Sequence, residues 1–153
     1  MADVKTFETL ACVALPEDFR EFAVHPFGGL YVEAKKEVWP PAKPFDVGPF
    51  WSFLRGVMVY SLSVQAPEWL QMRTAWREMK EAGYAELVPF LKILGDADPY
   101  CFTKNGGIVI WRHEEPDDPE PIDMTFSEVV LYELAELDGR VARKLRGEDK
   151  HKG

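Results

Sequence analysis

The sequence predicts an α+β fold, and three observations carry the prediction. An Asn-Gly-Gly turn at 105–107 separates two short β-rich segments, apolar residues recur with helical period in three places, and the two kinds of segment follow one another irregularly. The regular β–α alternation of a doubly wound parallel sheet is absent.

The elements follow in chain order. Leu15-Pro16-Glu17-Asp18 opens a helix, with Pro in the first turn and two acids at the positive end of the dipole. Phe19, Phe22 and Ala23 share one face of it, and Pro26 and Gly28-Gly29 end it. Leu30–Ala34 is a short strand. Trp39–Pro49 holds four prolines and forms a stiff loop. Gly56–Ser63, rich in Val and Tyr and alternating, is a strand. Pro67 opens a second helix, closed by Gly83, whose Trp69, Met72, Trp76 and Met79 recur at i, i+3, i+7 and i+10. That stripe assigns Trp69 and Trp76 to the core. Tyr100–Thr103 and Ile108–Trp111 form a hairpin, because Asn-Gly accepts the positive φ angles of a tight turn. The final helix starts with a capping box, Thr125 with Glu128, and a hydrophobic staple, Met124 with Val129. Val130, Leu134, Leu137, Val141 and Leu145 continue its apolar face, and the polar tail from Arg146 is expected to fray.

At 153 residues and 17.5 kDa the chain is the size of one domain. Its net charge of −8 argues against nucleic acid or an anionic membrane as partner and favours a basic protein surface. Cys12 and Cys101 make no CxxC pair, so neither a disulfide framework nor a zinc site is expected, and both are read as buried free thiols, with a single Cys12–Cys101 bridge as the alternative. No basic-then-apolar leader and no apolar run of about 20 residues is present, which gives the expectation of a cytoplasmic protein. Nothing in these features fixes an oligomeric state.

Charge is distributed unevenly. Between Glu114 and Asp138 there are ten acidic residues and no Lys or Arg, whereas the last 15 residues carry six basic and two acidic ones.

The order of motifs resembles the SUKH superfamily, the Smi–Knr-like domains. The helix LPEDFREF, the Gly28-Gly29 turn and a strand resemble its beginning. The later residues Val88-Pro89-Phe90, GDADPYCF (Gly95 to Phe102), IVIWRH (Ile108 to His113) and MTFSEVV resemble its continuation. Phe27 stands where an Asn commonly precedes Gly-Gly, and Trp39–Trp51 looks like a local elaboration. The resemblance implies a single domain with a twisted, mostly antiparallel sheet flanked by helices. Its expected bounds are 15–146, after an N-terminal segment 1–14 that packs on it and before a polar tail 147–153. It also implies a role, since many bacterial members are immunity proteins against polymorphic toxins, often nucleases, while fungal relatives are intracellular interaction proteins. The family has no established catalytic residues to carry over.

Candidate sites follow from both lines. Glu114, Glu115, Asp117, Asp118, Glu120 and Asp123 can act as a charge decoy for a basic surface, or simply as a solvated loop. Asp96-Ala97-Asp98 lacks the further oxygen ligands of a calcium loop and is read as a turn, so no metal is expected. Its two carboxylates join the candidate partner-binding set. Trp39, Phe45, Phe50, Trp51 and Phe53, interleaved with prolines, cap the sheet or leave one or two rings exposed; Trp39 and Trp51 are the candidates. His113 beside Glu114 and Glu115 makes no acid–base site by adjacency alone. No H-x-E…P-C-x-x-C, G-x-S-x-G or Walker loop occurs, so neither an enzyme nor a cofactor is expected. The expected function is toxin neutralisation by a footprint combining the acidic block with the Gly28-Gly29 and GDADPY turns. The alternative is a regulatory module with endogenous partners.

Overall fold

Six antiparallel strands lie side by side in chain order in the computed structural model, which describes residues 2–24, 29–34 and 56–146. They are β1 (Leu30–Glu33), β2 (Gly56–Val59), β3 (Val88–Ile93), β4 (Tyr100–Phe102), β5 (Ile108–Ile110) and β6 (Glu120–Ile122). The helices are α1 (Ala2–Ala11), α2 (Glu17–Val24), α3 (Met72–Glu81) and α4 (Phe126–Arg146), with a 3₁₀ turn at Glu68–Leu70. The class is α+β, as the sequence predicts. The residues 35–55, which hold Trp39 and Trp51, and the tail 147–153 lie outside the described residues.

Strand alternation divides the core into two layers. Phe90 and Phe102 stack at 4.1 Å, with Phe19 of α2 5.1 Å from Phe102 and 5.0 Å from Phe126 of α4. Cys101, one residue out of phase with Phe102, packs instead with Met79 of α3 and with Leu87, Tyr84, Val109 and Trp111. All four residues of β2 are buried because both faces of the sheet are covered there.

Local chemistry explains the element ends. In the capping box, the Thr125 amide donates to Glu128 Oε1 at 2.8 Å and the Glu128 amide to Thr125 Oγ1 at 3.1 Å. Asp18 does more than favour the α2 dipole. Its Oδ2 accepts from the amide and hydroxyl of Ser127 at 2.9 and 3.1 Å, joining the first turns of α2 and α4. In the 103–107 hairpin only Gly106 takes a positive φ, +82°, whereas Asn105 does not; the turn closes through Gly106 N–H to Thr103 O and Thr103 N–H to Gly107 O. Pro121 sits in β6, an edge strand, where a missing N–H is tolerated. Pro89 coincides with a register shift between Pro89 and Leu91.

Three expectations change, and one helix that the sequence reading did not single out is present. Trp69 is not core: it is 56% exposed. Gln71 is extended (φ −82°, ψ 129°) and bridges in parallel to Ser61, so α3 begins only at Met72 and Trp69 falls in the preceding 3₁₀ turn. Trp76 and Met79 are buried, in agreement with the stripe. Cys12 is exposed rather than buried, because it ends α1 with φ +55° while the Val13 amide reaches back to Glu8 O at 3.1 Å. The first eleven residues include a helix, α1, which seats Val4, Phe7 and Ala11 in the core. Glu120–Ile122 of the acidic segment is a strand rather than loop.

Candidate functional site

Antiparallel pairing places the β3–β4 turn and the β5–β6 loop at the same end of the sheet. The turn is compact: Gly95 takes φ +87° and the Asp98 amide donates to Asp96 Oδ1 at 2.8 Å. Its role as a turn is the one its residues predict.

The Asp98 carboxylate then fastens the neighbouring loop. Its Oδ1 accepts from the His113 amide at 3.0 Å and lies 2.7 Å from His113 Nδ1, while Oδ2 is 3.8 Å from Arg112. Arg112 also pairs with Glu120. Further along, Tyr84 Oη donates to Asp117 at 3.1 Å and Trp111 Nε1 to Pro116 O at 3.2 Å. A loop rich in like charges is thereby held in one shape by two aromatic donors and one shared carboxylate.

This end gathers Glu114, Glu115, Asp117, Asp118 and Glu120, all exposed, beside the partly buried Asp96 and Asp98. Asp123 is not with them: β6 carries the chain away from Glu120, opposite Ile110, to Ile122, opposite Ile108. Asp123 lines a hollow with Asp18 and Gly106 at the other end. Gly29 also lies at that other end, because Leu30 pairs with Val59 while Glu33 pairs with Gly56. There an added Cβ would come within 2.7 Å of Ser61 Cβ. The footprint expected from the acidic block and the two turns is thus divided between opposite ends, and Gly28 lies outside the described residues. The ten-acid block is divided too. Glu128 serves the capping box, and Glu133 is buried against Tyr100.

Charge at the site follows from these contacts. Burial alone would raise the Asp98 carboxyl, but hydrogen bonds from the His113 backbone and ring, with the charges of His113 and Arg112, hold it below the ordinary carboxylate range. The hydrogen bond to Asp98 raises His113, aided by the charges of Asp98, Glu114 and Asp96. The tie therefore has two limits. The Asp98 contribution is complete above its ordinary value of 3.8 and is lost as pH falls through its depressed folded value. The His113 contribution is complete below 6.5 and is lost as pH rises through its raised folded value. Protection of the loop amides between His113 and Asp118, taken relative to the unstructured exchange rate at each pH, is expected to be greatest between those limits. NMR titration is expected to place His113 above its ordinary value in the native chain and return it toward 6.5 in Asp98→Asn; identical titrations would refute the tie.

Three contributors escape sequence reasoning. Tyr84, Trp111 and Arg112 hold the loop in shape, yet Tyr84 and Asp117 are 33 positions apart and nothing local links them. Among the described residues no group of three or more His, Cys, Asp or Glu could hold a metal ion, and no helix is long and apolar enough to cross a membrane.

The sequence model of the SMI1 / KNR4 family (SUKH-1) matches residues 2–131, which is most of the chain. No curated protein and no solved structure matches. The match includes α1, the whole sheet and the start of α4.

Proposed function

We infer that this chain, which belongs to the SMI1 / KNR4 family (SUKH-1), is a protein-binding domain of the immunity type that neutralises a toxin with a basic surface by occluding it. The supporting observation is the acidic end of the sheet, which gathers five exposed carboxylates beside the partly buried Asp96 and Asp98, with Arg112 as the one Lys or Arg in the turn and loop. Clustered carboxylates on a loop held in shape present a fixed field of one sign. Such a field steers a basic partner and suits a nuclease, whose own surface is built to meet phosphates. The loop pays little ordering entropy on docking, because Asp98, Tyr84 and Trp111 already hold it.

The test is affinity capture from the host at low and high salt, followed by association kinetics with the captured protein. A single stoichiometric basic partner is expected, held less tightly at high salt. The variant Glu114→Gln/Glu115→Gln/Asp117→Asn/Asp118→Asn is expected to associate about tenfold more slowly, with a flatter salt dependence. Unchanged association would refute the decoy role, and several endogenous partners with none dominant would assign the chain a regulatory role instead.

A further inference from the structure

On the α3 side of the sheet a groove of about 650 Å³ runs past Tyr31, Met58, Tyr60, Trp69, Glu78 and Lys92. A smaller hollow of about 140 Å³ shares Tyr60, Glu78 and Lys92 with it and continues to Ala97, Pro99 and Trp111. The two form one furrow. It leads from the 3₁₀ turn that carries Trp69 to the β3–β4 turn that carries Asp96 and Asp98.

Its outer end is aromatic and open. Trp69 is 56% exposed and Tyr31 41% exposed, and their rings meet edge to face at 5.2 Å, with an interplanar angle of 74°. Large rings left in water beside a concave surface are the groups that most often anchor a protein partner. We propose that this furrow is an arginine-accepting subsite, in which a guanidinium from a basic partner seats against Trp69 and Tyr31 with Glu78 as its counter-charge.

Arginine fits better than lysine. A guanidinium is planar and weakly hydrated, stacks on aromatic faces and forks onto a carboxylate, whereas an ammonium keeps its water. The charge of Glu78 is felt inside the furrow: after burial, it is the largest influence pushing the Tyr60 phenol up to about 12. Lys92 is the one cation among the described lining residues, and it opposes the occupant. The excess that selects a cation comes from the chain's net charge of −8. The subsite rests on the inference that the partner is a basic protein, and adds where one of its side chains goes.

The test titrates N-acetyl-arginine amide, with its neutral citrulline counterpart as control, against the full chain and follows indole and backbone amide NMR signals. A saturable shift of the Trp69 indole N–H is expected, stronger for arginine. The accompanying shifts of the furrow's backbone amides are expected to vanish in Trp69→Ala, and binding is expected to weaken about three- to fivefold in Glu78→Gln and to tighten in Lys92→Gln. Equal response to citrulline, or none, would overturn the subsite. Shifts confined to amides 113–118 would overturn it while leaving the acidic end as the docking surface. A Trp69 response alongside unchanged association of the loop-neutralised variant would sustain the subsite and refute the decoy role instead.

Discussion

Phe90→Ala is expected to destabilise the fold by about 3–5 kcal/mol. Phe90 is fully buried in β3, stacked on Phe102 at 4.1 Å and held by Phe126 at 5.6 Å and Tyr100 at 6.0 Å. Those neighbours belong to different elements, each fixed by its own contacts, so the space left by the ring cannot close by a single local shift. In a domain of this size the loss corresponds to a fall in melting temperature of roughly 6–20 °C. Trp69→Ala is the control: a ring of comparable size in an exposed place is expected to cost under about 1 kcal/mol. Urea unfolding measures both. A cost below about 1 kcal/mol for Phe90→Ala would show that the aromatic cluster does not organise the core.

The second large effect concerns Tyr100. Its hydroxyl donates to Glu133 Oε2 at 2.6 Å, and Glu133 is only 8% exposed. Burial first, and then the bond to Glu133, push the Tyr100 phenol above its ordinary range, so it stays a donor well into alkaline solution. Tyr100→Phe deprives a buried carboxylate of this donor, at an expected cost of about 1.5–3 kcal/mol. Glu133→Gln keeps an acceptor for the hydroxyl and is expected to cost less. Removing both polar groups, as Tyr100→Phe/Glu133→Leu, is expected to cost less than the two single truncations together, because neither group is left stranded. Additive losses in that cycle would show that the two groups do not act as a pair.

What the sequence discloses here depends on the range of the interaction. The capping box at Thr125–Glu128 and the hairpin at 103–107 are legible because a few adjacent residues determine them. The strand β3 is not, since VPFLKI is buried on both faces and shows no alternation. The stripe through Trp69 has helical spacing, yet the Ser61–Gln71 bridge, a tertiary contact, restarts the helix after it. The acidic block is plain as a count of residues. Its division between an exposed loop, a helix cap and a buried pair is not, because Tyr84 meets Asp117 and Tyr100 meets Glu133 only through folding, each across 33 positions. The parts of the site that sequence alone conveys are therefore its charge and its turn chemistry.

A sheet whose strands follow chain order has a consequence for how such a domain diversifies. Connections alternate between its two ends, so those leaving β1, β3 and β5 all depart from the same end, while those leaving β2 and β4 depart from the other. Residues can be added to or replaced in the first set without altering strand register, and without touching the ring cluster or the hairpin at 103–107. The acidic turn and loop and the ring cluster thus occupy separate stretches of one chain, so the charge at that end can change while the core stays the same.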